Sequence, residues 1–362
     1  MPVDVPLMSD FTEQAEYAYA VARIRALETT LIDSTAITSL MTTPSDRFMQ
    51  AFQEVSQTAG GTHDTKDHDP TALLRLLEDR LTDTFLLARS LIIEDAMRRL
   101  LSLEYDYRLL NLIVKKHAGG PSPDGAGGPP AGEHRPGEHH FREICDARAN
   151  YSFQSLQAAL QGGRVTETGE TLYGTYRSLT EKAELSGGVI DLACTRGLYT
   201  ELFGILEGHP NGFIRGFYVR RVDGFNVIAM LRQKLRGGKR SDLAERFLPF
   251  GSIGLEHIEE GLDMTIDGFA ARIVFSPIGP VLRGVDKSAD GEEQIAQAER
   301  LIDDAQIGYL RESLFVTFGL EPIFAYLRMK EMELLNLRTV LICRLAEVPV
   351  EEIRGQMRGY HG

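Results

Sequence analysis

The chain has 362 residues, 43% of them hydrophobic, and a formal net charge of −13. That is ample apolar material but too long a chain for one ordinary core, so two or three domains are expected and global disorder is excluded. The acidic balance excludes a nucleic-acid partner, whose phosphates call for clustered Lys and Arg, and it disfavours purely electrostatic binding to anionic lipid.

Apolar residues three and four apart, with Arg23 and Arg25 beside them, predict a first helix from about Thr12 to Ile32. Asp69-Pro70 pairs an N-cap with proline at the first helical position. The helix it opens continues through Leu73, Leu77, Leu81 and Leu91 towards Leu101, with room for a break. Gly119 to His140 holds Pro121, Pro123, Pro129, Pro130 and Pro136 among seven glycines. Such a composition buries too little surface to offset the entropy of ordering, so it reads as a disordered insertion and a domain boundary. Val189 to Leu206 is helical in pattern and stops at Gly208, with Pro210 behind it. Asn211 caps a further helix that ends at Gly237-Gly238, and a new one starts near Ser241. Ile273 to Leu282 reads as a buried connecting loop. Glu321-Pro322 opens the last long helix, to about Ala346, and Pro349 restarts a short one within Val348 to Met357. The resulting domains are 1–118, 141–238 and 239–362, with 119–140 as the insertion.

No stretch approaches the roughly 18 uncharged apolar residues of a membrane span. The best, Ala270 to Leu282, is short and contains Arg272, Pro277 and Pro280. Cys145, Cys194 and Cys343 are scattered and odd in number; with no signal-peptide pattern, a reducing cytosolic compartment is expected.

Comparison of the helix centres uncovers a repeat. Asp106 precedes Asn111, Asp223 precedes Asn226, and Glu333 precedes Asn336. Upstream of each asparagine lie two further markers. One is an apolar–turn–apolar segment: Ile32 to Ile37, Leu160 to Val165, Leu248 to Ile253. The other is a polar residue 31 or 32 positions earlier: Asp79, Thr195, Asp304. Asparagine is a poor helix former because its amide competes for backbone hydrogen bonds. In the second and third copies the acid lies three residues before it, on the same face; in the first the offset is five. The pattern reads as a buried polar clamp that fixes how helices dock. A catalytic or ligand role is the alternative, though three scattered copies suit one active site poorly.

Chemical signatures are sparse. Gly237-Gly-Lys-Arg-Ser is no phosphate loop, because Arg240 separates the lysine from the hydroxyl and the upstream glycine is missing. There is no nucleophile elbow, His-Glu-x-x-His or Cys-x-x-Cys. His63 and His68 with Asp64, Asp67 and Asp69 form one histidine-bearing cluster, and His134, His139 and His140 another. Both lie in polar, turn-rich stretches with no scaffold to fix metal geometry, so no catalytic, cofactor or metal site is assigned.

Several passages carry a family likeness. They are Tyr17-Ala-Tyr-Ala-Val-Ala-Arg23-Ile-Arg-Ala-Leu-Glu and Phe247-Leu-Pro-Phe-Gly-Ser-Ile. The most specific is Glu321-Pro-Ile-Phe-Ala-Tyr-Leu-Arg328-Met-Lys-Glu-Met-Glu-Leu-Leu-Asn-Leu-Arg338, followed by Val348-Pro-Val-Glu-Glu-Ile-Arg. With these the chain resembles the C-subunit family of bacterial and archaeal V/A-type ATPases, whose counterpart in the eukaryotic vacuolar enzyme is the d-subunit. It departs at Cys194-Thr195, where an apolar residue and aspartate are usual, at Phe250, where glycine is usual, and in the insertion. The resemblance implies an all-α fold of three similar helical domains in a pseudo-threefold funnel. It also implies a non-catalytic rotor component joining the central-stalk subunits to the membrane proteolipid ring, peripheral at the cytoplasmic face, with no cofactor and no direct nucleotide binding.

Overall fold

Prolines and polar side chains set where the helices of this chain begin. The structure, a computed structural model, describes residues 14–58, 69–119, 136–182 and 185–359, and among them there is no strand. The fold is all-α, and the chain divides into two compact units: Met1–Leu91 with Asn211–Gly362, and Ile92–Pro210.

The first unit starts with a 3-10 turn, Ala15–Tyr17, running into α1 (Ala18–Glu28). Arg25 ties α1 to a distant part of the unit, donating to the carbonyls of Ser313 at 2.8 Å and Val316 at 3.1 Å. Helix α2 (Ser34–Thr42) is capped by Asp33, whose side chain accepts from the Ala36 amide at 2.7 Å. Helices α3 (Ser45–Thr58) and α4 (Pro70–Leu91) follow, α4 opening at the expected proline. Helix α4 stops at Leu91, so the expected break falls at Ile92 to Glu94.

The second unit is α5 (Asp95–His117), α6 (Pro136–Arg148), α7 (Phe153–Gln161), α8 (Val165–Thr168), α9 (Glu170–Thr180) and α10 (Gly187–Gly208). Helix α6 begins at Pro136, inside the stretch whose composition reads as insertion; residues 120–135 lie outside the described residues. His139 and His140 sit on α6 within reach of Glu143. Helix α5 is buried on most faces, packed by α6, α7, α9 and α10. Gly197 on α10 lets α5 come close, because a Cβ there would meet Thr175 and Tyr107.

The chain then returns to the first unit. Asn211 caps α11 (Gly212–Leu235), accepting from the Ile214 amide at 2.9 Å, and Gly237 leaves it with a left-handed φ of 63°. Five helices follow: α12 (Arg240–Arg246), α13 (Leu255–Glu260), α14 (Ile266–Arg272), α15 (Gly279–Leu282) and α16 (Gly291–Arg311). The 273–282 connection is buried at Ile273, Ile278 and Leu282 but leaves Phe275 outside. Last come α17 (Glu321–Leu345) and α18 (Val350–Gln356).

Two apolar cores stand out among the described residues of this unit. One joins Val227, Met230 and Leu231 of α11 to Leu243, Ile258, Phe269, Leu282 and Ile302. The other closes the chain on itself: Leu334, Leu337, Val340 and Leu341 of α17, with Ile353 and Met357, pack among Ile37, Leu40, Phe48, Phe52, Leu73 and Leu77. Each such fully buried side chain contributes about 1.5–3 kcal/mol of transfer free energy, so the last helices are structural partners of the first four.

Candidate functional site

The recurring acids sit at the centres of α5, α11 and α17, and all three are buried. A buried carboxylate must be hydrogen-bonded, and the donors come from the same place each time. Asp106 accepts from the Asn150 amide at 2.7 Å and the Asn150 side chain at 2.6 Å, and also from the Tyr151 amide. Asp223 accepts from the Ile253 amide at 3.0 Å and the Ser252 hydroxyl at 2.6 Å. Glu333 accepts from the Ile32 amide at 2.8 Å. Tyr151, Ile253 and Ile32 each stand immediately before the N-cap of a helix: Ser152 of α7, Gly254 of α13 and Asp33 of α2. Each acid therefore pins the start of another helix to the middle of its own.

The asparagines add a second clasp in two of the three copies. Asn226 donates to the Leu248 carbonyl and accepts from the Leu248 amide, both at 2.9 Å. Asn336 does the same to Arg358, at 2.7 and 3.1 Å, again 22 residues on. Asp304 supports that segment by accepting from the Gly359 amide at 2.5 Å. In α5 the position three residues past the acid is Leu109, fully buried. Asn111 faces elsewhere, donating to Asp191 at 2.8 Å alongside Lys115 at 2.7 Å.

Of the apolar–turn–apolar markers, Leu248 to Ile253 and Ile32 to Ile37 contain clasped residues. In the second unit the clasped pair is Asn150-Tyr151, outside Leu160 to Val165. Gly251 is tied to this geometry, because a Cβ there would collide with the Asp223 carboxylate. The glycine that the turn needs is therefore at 251, beside Phe250.

The charges around the acids differ. Burial pushes the Asp106 carboxyl up to about 7; the Asn150 donors oppose this and nearby Glu201 adds to it. Burial raises Asp223 to about 6, against the Ser252 and Ile253 hydrogen bonds and the Arg220 charge. Glu333 has Lys330 at 2.5 Å, and both are almost wholly buried. Four groups that sequence patterns did not single out complete these sites: Glu201 with Tyr107 and Arg99, and Arg80. Glu201 accepts from the Tyr107 hydroxyl at 3.0 Å and pairs with Arg99. Arg80 of α4 lies buried near Glu333, with all three guanidinium nitrogens lacking a hydrogen-bond partner. Burial pulls its pKa down and Glu333 opposes the fall.

The other sequence-named residues are placed as follows. Tyr17 is buried and Arg23 exposed on α1. Glu321 accepts from the Asn211 side chain at 3.0 Å. Arg328 donates to the Tyr218 hydroxyl and to Glu331, both at 2.8 Å. Arg338 reaches Glu78 at 3.3 Å. Among the described residues no group of three His, Cys, Asp or Glu could hold a metal ion, and no helix is long and apolar enough to cross a membrane. His63, His68, Asp64, Asp67 and His134 lie outside the described residues. All three cysteines are free and buried.

Chemically, the clasp carboxylates are taken up by backbone amides and neighbouring side chains. The cavity of about 570 Å³ beside Leu231, Leu235, Val285 and Ile295 contains none of them. A search of curated proteins found no match. The family profile described as ATP synthase (C/AC39) subunit matches residues 20–356, a span that takes in all three acid-bearing helices and both units. The chain belongs to the ATP synthase (C/AC39) subunit family.

Proposed function

We propose that this chain is the central-rotor adaptor of a V/A-type rotary ATPase or ATP synthase, coupling the central stalk to the membrane proteolipid ring for ion transport. Membership of the family makes it a rotary-ATPase subunit; the adaptor role is our reading of it. The observation that carries the reading is the recurring clasp. Torque must pass through an element without dissipating in bending, and here three long helices are each pinned at mid-length to the start of another helix. Leaving a buried donor or acceptor of such a clasp unpaired costs about 1–3 kcal/mol, so these joints resist shear. A subunit with this task needs no reacting groups, and we read it as non-catalytic, binding no nucleotide itself. Its partners are the stalk and ring subunits of the same complex. It sits peripherally on the cytoplasmic face, its repeats arranged as lobes about a pseudo-threefold axis, a broad face to each partner.

Affinity purification of the tagged chain from gently solubilised membranes tests this directly. Stalk and ring subunits should co-purify at fixed stoichiometry, and the isolated chain should hydrolyse no nucleotide. Recovery without either partner, or with the stationary peripheral parts alone, contradicts the rotor placement.

A further inference from the structure

The two longest helices of the larger unit, α11 and α17, share a surface feature that the two cores do not wholly explain. On α17, Leu335, Ile342 and Leu345 are 50%, 44% and 46% exposed, and Arg338 completes the row. Steps of three, four and three residues are the a/d spacing of a coiled-coil seam. On α11 the same steps join Phe225, Ile228, Arg232 and Leu235, with Phe225 and Leu235 39% and 48% exposed and Ile228 half-buried against the α11 core. Counted from Asp223 and from Glu333, the two rows fall in the same register. A lone exposed leucine needs no explanation, but a heptad row repeated in register on two helices does.

The charge of the rows is equally selective. Acids outnumber bases 52 to 39 in the chain, yet neither row holds one. The matching positions of α5 (Arg108, Asn111, Lys115) hold none either. Arg232 and Arg338 keep only surface ion pairs, with Glu299 at 2.5 Å and Glu78 at 3.3 Å, which are worth little and easily exchanged. At Leu235 the α11 row opens on the cavity of about 570 Å³, floored by Leu231, Val285 and Ile295, with room for a partner's side chain.

We propose that the exposed rows of α11 and α17 each dock an amphipathic helix of a neighbouring subunit, whose apolar a/d residues pack on the row and whose acidic residues face Arg232 and Arg338. A second copy of this chain suits the rows poorly, since pairing like with like brings arginines together. The inference rests on the rotor reading and adds to it where, and by what chemistry, a partner is held.

The test strips the chain from the purified complex and measures the rebinding of full-length variants. Wild type should rebind. Leu335→Glu with Ile342→Glu, and Phe225→Glu with Leu235→Glu, should each weaken rebinding at least about a hundredfold with thermal stability little changed. Arg338→Glu should weaken it about tenfold and flatten its salt dependence. Phe275→Glu, at a 96% exposed residue on neither row, should stay within about twofold of wild type. Rebinding of both double variants at wild-type affinity overturns the inference and leaves the rotor reading standing. Failure of the wild type to rebind overturns both. Double variants that only turn a dimer into a monomer, and still rebind, make the rows a self-association face and also overturn it.

Discussion

A single amide side chain shows how much depends on position within the repeat. Asn226 is almost wholly buried and satisfies both backbone groups of Leu248. Asn226→Leu leaves that amide and carbonyl desolvated and unpaired, so chemical denaturation should register a loss of about 1–3 kcal/mol. Asn111 is half-buried and pairs with Asp191 at the surface. Asn111→Leu should therefore cost no more than about 0.5 kcal/mol; equal losses at the two sites would contradict the distinction. Arg80 argues in the opposite direction. Its guanidinium is buried with no hydrogen-bond partner and only the Glu333 charge to favour it. Replacing such a group by an apolar side chain of similar length is neutral or stabilising, by up to roughly 1–4 kcal/mol. Arg80→Met should accordingly raise or preserve the unfolding free energy, and a clear loss would mean that the guanidinium has a partner.

Among the elements, the joint between α5 and the start of α7 carries a pH signature. The groups facing Asp106 are Asn150 and Tyr151 from the loop before α7, Arg99 on α5 and Glu201 on α10. Because the Asp106 pKa is raised when folded, the folded state holds its proton more tightly than the unfolded chain does. Its contribution is fully present below the unfolded value near 4 and is lost as pH rises through about 7. Thermal unfolding at pH 5.5 and 8 should show wild type losing stability over that interval, on the order of a few kcal/mol. Asp106→Asn should lose much less; equal pH dependence in both would remove Asp106 as the cause.

The elements also divide by how legible they were. Pro70, Asn211, Gly237 and Pro322 mark helix ends by local chemistry, and the structure places ends at or next to each. The acids of the three long helices were visible as residues out of keeping with their surroundings. Their partners were visible only in part. Ile32 and Ile253 fall in the apolar–turn–apolar markers, but nothing in the sequence joins them to Glu333 and Asp223, because they are clasped through backbone amides, which every residue but proline possesses. Asn150, beyond the insertion, belongs to no marker. Arg80 and Glu201 read as ordinary charged positions of amphipathic helices until burial is known. The pairing of α17 with α1 to α4 spans most of the chain, whereas helical periodicity reports only which face is apolar.

At the scale of the whole chain, the adaptor role proposed above rests on the family match and the repeated clasp. A central stalk and a many-fold ring present unlike surfaces, and a stable joint between proteins buries at least about 1,200 Å². An adaptor with long, mid-pinned helices can offer a broad, stiff face to each. The most direct measurement of this claim reconstitutes the rotary complex into vesicles with and without the chain and follows ion uptake and ATP hydrolysis together. The account predicts that without the chain hydrolysis continues in the soluble head while ion uptake falls to background, and that adding the chain back restores both in fixed ratio. Ion uptake that stays coupled to hydrolysis in its absence would contradict it.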